Sequence, residues 1–140
     1  MNREIKFRAW NKREKKMYEA DFFDNFYVIN QGRVGIIKGD IFDDGSSFYV
    51  DYSDKNNWEV MQYTGLQDKN GKEIYEGDIV AVKKFKWIIA MGCSTDGEYG
   101  WLQKRIGDDV GKSYIITEND GIDERYEVIG NIYENPELLH

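Results

Sequence analysis

One cysteine, one histidine and one proline are the whole supply of those residues in this 140-residue sequence. A single cysteine, Cys93, rules out an intrachain disulfide. With His140 as the only histidine, a zinc site built from Cys and His is excluded by count. A Ser-His-Asp or Cys-His relay would have to run through the last residue of the sequence. The lone proline, Pro136, lies close to that end, so no proline-rich linker divides the chain. Neither G-x-x-x-x-G-K-[ST] nor G-x-G-x-x-G occurs, which removes the common nucleotide-phosphate loops. No stretch reaches the roughly 18 apolar residues of a membrane span, and residues 1–6 lack the apolar core of a signal peptide. The expectation is a soluble cytoplasmic protein with no cofactor.

Positive charge is also in short supply. Nineteen Lys and Arg stand against 26 Asp and Glu, a net charge of −7, which makes the chain a poor general binder of phosphate backbones. The charge is uneven. Residues 1–16 carry seven bases and two acids, whereas residues 91–140 carry eleven acids and four bases. Two oppositely charged regions can attract within one molecule or between copies in a homo-oligomer; the other reading is a basic edge for nucleic acid.

What is abundant is aromatic and apolar. Hydrophobic residues make up 41% and aromatics 15%, with ten Tyr and seven Phe, enough for a packed core and weighted towards strands. Fourteen scattered glycines suit many tight turns. The organising stretch is residues 58–80. A strand-like run ends at Tyr63, Asp68-Lys69-Asn70-Gly71 supplies hairpin-turn chemistry, and Glu76-Gly77-Asp78 makes a second turn that launches an apolar run over 79–82.

Before that stretch, Ile5, Phe7 and Ala9 alternate with Lys6, Arg8 and Trp10, the period of a half-buried strand. A polar turn at 11–14 and a strand at 16–18 complete an opening hairpin with a basic tip. Residues 22–29 are aromatic-rich and fit a helical turn or a strand. Strands are expected over 34–38, 41–42 and 48–52, with a turn at 43–47 and a polar loop at 54–57. Beyond 80, two strands end near Met91, a glycine-containing loop spans 93–100, and strands follow at 100–104, 114–117 and 126–133 around an acidic loop at 105–112. Asn135 and Pro136 fit the cap and first position of a terminal helical turn. The fold expected is mainly β, with a β-rich α+β arrangement as the alternative, built from many short antiparallel strands. As a single domain over 1–140 it would divide into an N-terminal β meander, 1–70, and a barrel-like half, 71–140, whose roughly five strands match a small SH3-like barrel.

Candidate chemistry is sparse. Acidic clusters at Asp40, Asp43 and Asp44, at Asp108-Asp109, and at Asp120, Asp123 and Glu124 lack any complete metal-loop pattern and read as solvated loops. Asp68-Lys69-Asn70-Gly71 matches only the start of a calcium loop and reads as a turn. Cys93, between Gly92 and Ser94, reads as a strand-end thiol in the absence of an activating base, although Lys104 or Arg105 lies within conceivable reach. The run Lys83-Lys84-Phe85-Lys86-Trp87 and the opening Lys6-Phe7-Arg8-Ala9-Trp10 interleave cations with rings, a composition that stacks bases and holds phosphates. Alternation places Lys84 and Lys86 on one face and Phe85 and Trp87 on the other, as in an ordinary strand with its aromatic side turned inward.

Three blocks resemble the YopX family of small proteins encoded by bacteriophages and prophages. They are Arg3-Glu4-Ile5-Lys6-Phe7-Arg8-Ala9-Trp10, then Gln62-Tyr63-Thr64-Gly65-Leu66 through Tyr75-Glu76-Gly77-Asp78-Ile79-Val80, and finally Tyr126-Glu127-Val128-Ile129-Gly130-Asn131-Ile132-Tyr133-Glu134-Asn135-Pro136-Glu137-Leu138-Leu139. The resemblance implies a phage or prophage origin and a mostly β fold, and it carries over no catalytic or binding residue. The function expected is a non-catalytic protein-interaction or regulatory module that meets a host or phage protein. The alternative is a nucleic-acid-binding module using Lys83, Lys84, Lys86, Trp87, Lys6, Arg8 and Trp10.

Overall fold

The structure, a computed structural model, describes residues 5–19, 27–30, 33–39, 48–82, 84–107, 113–116 and 126–139. It is mostly β, with antiparallel pairing throughout and no α-helix among the described residues. The chain forms two compact units, one of them Lys6–Met61 and the other built on Gln62–His140. The division falls inside a strand, ahead of the Asp68–Gly71 turn at which the sequence suggests a boundary.

In the first unit, β1 (Phe7–Asn11) and β2 (Lys16–Tyr18) make the opening hairpin, pairing Ala9 with Tyr18 and Asn11 with Lys16. The strand is present, but its expected alternation is not. Residues 8–11 are all buried, so both faces of β1 are covered; within the sheet it lies between β2 and β6 (Trp58–Gln67). A meander of β3 (Tyr27–Asn30), β4 (Arg33–Gly39) and β5 (Phe48–Asp51) forms a separate three-stranded sheet. Tyr27–Asn30 is therefore strand; the rest of the aromatic segment, the expected strand at 41–42 and the turn at 43–47 lie outside the described residues. Residues 55–57 form a single 3-10 turn rather than an open loop. The core joins Ala9, Val34 and Trp58, with Tyr18, Ile29 and Val60 packed against it.

In the second unit, β6 runs on to Gln67 instead of stopping at Tyr63. Gly65 adopts φ +88°, and between the Tyr63–Tyr75 and Gln67–Glu73 pairs β6 takes four residue steps against two on β7 (Glu73–Tyr75). The Thr64-Gly65 pair thus marks a bulge inside the strand. The buried Thr64 hydroxyl holds it, donating to the Ile74 carbonyl at 2.8 Å and accepting the Leu66 N–H at 3.1 Å.

Five further strands follow: β8 (Asp78–Val82), β9 (Phe85–Cys93), β10 (Tyr99–Ile106), β11 (Ser113–Ile115) and β12 (Glu127–Asn131). They form one sheet in the order β11-β10-β9-β8-β12, a curled half-barrel. Its core is Ile74, Val80, Ile89, Ile116 and Tyr126, with Leu66, Val82, Trp87, Trp101 and Val128 packed around them. The corner from β7 to β8 needs Gly77, whose φ is +87°, and Asp78, whose buried carboxylate accepts the Tyr75 N–H at 2.8 Å.

Both outer edges of this sheet are occupied by turns. On β12, the Asp68 carboxylate accepts the Val128 N–H at 2.9 Å and the Lys69 N–H donates to the Tyr126 carbonyl at 2.9 Å. On β11, Thr95 takes both backbone groups of Ser113. Its N–H and hydroxyl donate to the Ser113 carbonyl at 3.1 and 3.0 Å, and the hydroxyl accepts the Ser113 N–H at 3.1 Å. Ser113 pairs with Lys104, well down β10 from the hairpin tip that carries Thr95. The tip therefore curls back to the β11 edge. Gly92 and Gly100, directly opposite each other, lie at the bend. A methyl on Gly92 would stand 3.3 Å from Leu102, and one on Gly100 would stand 3.4 Å from Ile115.

The chain ends in the expected turn, Pro136–Leu139, as a 3-10 helix. The Asn135 carbonyl accepts the Leu138 N–H at 3.0 Å, while its side-chain oxygen points back to accept the Asn131 N–H at 3.2 Å. Asn131 in turn accepts the N–H groups of Tyr133 and Glu134.

Candidate interaction surface

The basic and aromatic residues singled out in the sequence are not brought onto one exposed face. Arg8 and Trp10 are only 6% and 9% exposed, and Lys6 is half-buried. The physical reason is that both faces of β1 are covered, so that even a charged side chain is enclosed. Lys83 lies outside the described residues. Lys84 is exposed at the β8–β9 turn, its ammonium 5.6 Å from the centre of the Phe85 ring. Lys86 is half-buried, and its ammonium donates to the Leu138 carbonyl at 2.9 Å, closing the terminal 3-10 turn in the way a cation favours a helix C-terminus. Trp87 packs on the core and meets Tyr114 edge-on at 5.9 Å.

Pairing defines the aromatic side of β9. Phe85 lies opposite Val82, Trp87 between Val80 and Arg105, Met91 opposite Trp101, and Cys93 opposite Tyr99. These residues share one face, because strand side chains alternate. At its inner end this face is half-buried and carries a cation: the Arg105 guanidinium sits 3.6 Å from the Phe85 ring centre and 5.3 Å from that of Trp87. At the hairpin tip the same face reaches solvent. Tyr99 is 77% exposed, Met91 is 38% exposed, Cys93 is exposed, and Trp101 is half-buried against the core. The turn beyond them is a type I turn with a Gly97 bulge at φ +89°, and it adds the exposed carboxylates Asp96 and Glu98.

Sequence reading misses this surface because it assigns 93–100 to a loop. The glycines at 92 and 100 look like strand breakers, yet here they mark the bend of a continuous hairpin. The usable signal is the alternation Trp87, Ile89, Met91, Cys93 set against Tyr99, Trp101, Gln103.

Other polar groupings are accounted for by the fold. The Asp68 carboxylate, 3% exposed, accepts N–H groups from Asn70 at 2.8 Å and Lys72 at 2.9 Å besides that of Val128. Burial raises its pKa, but the three backbone donors and the charge of Lys72 outweigh that and hold it below the usual carboxylate range. The half-buried Glu76 carboxyl is pushed up by burial. In the first unit, a surface pocket of about 340 Å³ is lined by Lys12, Arg13, Ser53, Asp54, Asn56 and Asn57. Lys12 pairs with Glu59 at 2.9 Å and Arg13 with Asp54 at 3.1 Å. Among the described residues no group of three or more His, Cys, Asp or Glu is placed to hold a metal ion, and no helix is long and apolar enough to cross a membrane. The sequence's three acidic clusters lie outside the described residues.

Comparison with known proteins agrees with the block pattern. Solved structures similar to this chain include two from bacteria. Protein EF1440 from Enterococcus faecalis is 29% identical, with 99% of this chain and 100% of that one covered at a TM-score of 0.49. Protein yopX from Bacillus subtilis is 19% identical, with 96% and 95% covered at a TM-score of 0.49. No curated protein matches the chain. The model of the YopX protein family matches residues 6–140, so this chain belongs to the YopX family.

Proposed function

We propose that the chain is a non-catalytic protein-interaction or regulatory module, encoded by a phage or prophage and acting in the host cytoplasm, with its SH3-like half-barrel presenting the contact surface. The observation that carries this reading is the tip of β9 and β10, where Met91, Cys93 and Tyr99 extend a core face into solvent beside Trp101. Methionine, tyrosine and tryptophan together are the composition of interface centres, giving large contact area for little conformational freedom lost. Both sheet edges are already occupied at Ser113 and Val128, which favours contact through the face over strand addition.

The test is a photocrosslinking amino acid at position 99, with position 137 as the exposed control, used in host cells. A discrete protein adduct at 99 that wild-type chain competes away is the expected result. Equal adducts at 99 and 137, or adducts to nucleic acid alone, would overturn the reading. A nucleic-acid module is the second reading, favoured by the exposed Lys84 next to Phe85. It predicts salt-sensitive anisotropy of labelled DNA or RNA that disappears in Lys84→Glu; an unchanged titration in that variant removes it.

A further inference from the structure

Asn70-Gly71 is the one asparagine–glycine pair in the sequence, and it lies at an exposed hairpin turn. We propose that Asn70 is a site of spontaneous covalent modification, deamidation through a cyclic imide, and that the hydrogen bonds centred on Asp68 set its rate. The step needs no cofactor and only water as co-reactant. The Gly71 amide nitrogen gives up its proton and attacks the Asn70 side-chain carbonyl carbon. A new C–N bond closes the imide, the bond to the side-chain nitrogen breaks, and that nitrogen takes up the proton and leaves as ammonia. Water then opens the ring at either carbonyl, giving aspartate or isoaspartate.

The surroundings single out this residue. Gly71 has no side chain to hinder the attack, and a methyl built there would meet nothing within 4 Å, so the space over the turn is open. The Asn70 side chain is exposed and makes no hydrogen bond among the described residues. Every other asparagine is followed by a residue with a side chain, and the one after Asn135 is a proline with no N–H to give up.

The turn also holds the reaction back. Loss of the Gly71 amide proton is the event that begins base-catalysed hydrogen exchange, and in the turn that N–H is donated to the Asp68 carbonyl at 3.0 Å. The Asp68 carboxylate fixes the peptide groups on either side, accepting the Asn70 N–H at 2.8 Å and the Lys72 N–H at 2.9 Å. Modification therefore proceeds from the opened turn, and Asp68 is a positioning residue. The product reaches further than the turn. Isoaspartate adds a methylene to the backbone inside the loop that the Asp68 N–H closes on the Lys72 carbonyl at 2.8 Å, so the bonds across that loop lose register. The other Asp68 carboxylate oxygen, which accepts the Val128 N–H at 2.9 Å, then loses its fixed place, and the β12 edge loosens.

The test incubates the folded full chain in mildly alkaline buffer beside a capped peptide of residues 66–74, and follows Asn70 by peptide mapping that separates asparagine, aspartate and isoaspartate. Conversion at Asn70 is expected, slower than in the peptide by at least about threefold. In Asp68→Asn, conversion should quicken by about three- to tenfold and exchange of the Gly71 amide by the same factor. Amide dispersion certifies the fold of that variant, and the comparison of wild type with peptide holds whether or not it folds. Isoaspartate chains purified from the incubated wild type should exchange the Val128 amide faster than unmodified ones, whereas Asn70→Asp, which adds the charge without the methylene, should keep that amide protected. No conversion at Asn70 after the peptide has reacted fully, or conversion as fast as in the peptide, would overturn the inference. So would faster Gly71 exchange in Asp68→Asn without faster conversion, or equal Val128 protection in isoaspartate and unmodified chains.

Discussion

Replacing Asp68 by alanine should loosen the second unit more than any other single change in a turn. One carboxylate there satisfies three backbone N–H groups, on Asn70, Lys72 and Val128. Hydrogen bonds to a charged acceptor contribute about 1.5–3 kcal/mol each, but Asn70 and Lys72 are exposed and their N–H groups can turn to water. Val128 belongs to a half-buried strand, so its donor bears the full penalty. The expected loss is about 2–4 kcal/mol, most of it at the β12 edge. Urea unfolding followed by circular dichroism measures the total, and native-state amide exchange at Val128 locates it. Asp68→Asn keeps one oxygen but sets an NH₂ against one of the donors, so it should fall between alanine and wild type. The pH dependence follows from the depressed pKa. The unfolded chain binds a proton at Asp68 more readily than the folded one, so this contribution is complete above the ordinary carboxylate pKa of 3.8 and fades as pH falls through the lower folded value. That acid-side loss should shrink in Asp68→Asn. A cost below about 0.5 kcal/mol, the range of an ordinary surface change, would refute the clamp reasoning.

Three other outcomes are expected. Gly130→Ala should lose about 1–3 kcal/mol by overpacking, since the added methyl would lie 2.5 Å from the Asn135 side-chain oxygen; thermal melts of Gly130→Ala, Asn135→Ala and the double variant should be non-additive, the double costing less than the sum. Thr95→Val keeps the shape but removes both hydroxyl bonds to Ser113, so exchange of the Ser113 amide should accelerate while global stability drops by about 1–2 kcal/mol. Glu76→Gln should stabilise the protein at neutral pH, because burial raises the Glu76 pKa and makes ionisation unfavourable to folding; the gain should vanish below the ordinary glutamate pKa of 4.5, which denaturant melts at two pH values would show.

The legible parts of the fold were those written in local chemistry. The Asp68-Lys69-Asn70-Gly71 turn, the glycine corner at 77 and the Pro136 turn each depend on residues adjacent in sequence, and each is where the residues place it. The misread parts depend on neighbours brought from far away. β1 loses its two-residue alternation because a strand covered on both faces has no solvent side. β6 passes through Thr64-Gly65 because a carbonyl on β7 anchors the bulge. The Lys84–Trp87 run obeys alternation, but nothing local announces that Lys86 reaches Leu138, fifty-two positions on. The hairpin tip was hidden for the same reason: a glycine pair reads as an interruption until the opposing strand is known.

The two closed edges also bear on how this protein fails. A five-stranded sheet ordinarily leaves two rows of unsatisfied amides that template pairing with another chain. Here a turn caps part of each row, through Asp68 at Val128 on one side and Thr95 at Ser113 on the other. Damage to either turn unmasks a ready strand while the core behind it stays folded. Such damage should therefore also show as self-association of native-like molecules, visible in light scattering at temperatures below the melting transition, so these two side chains guard solubility as well as stability.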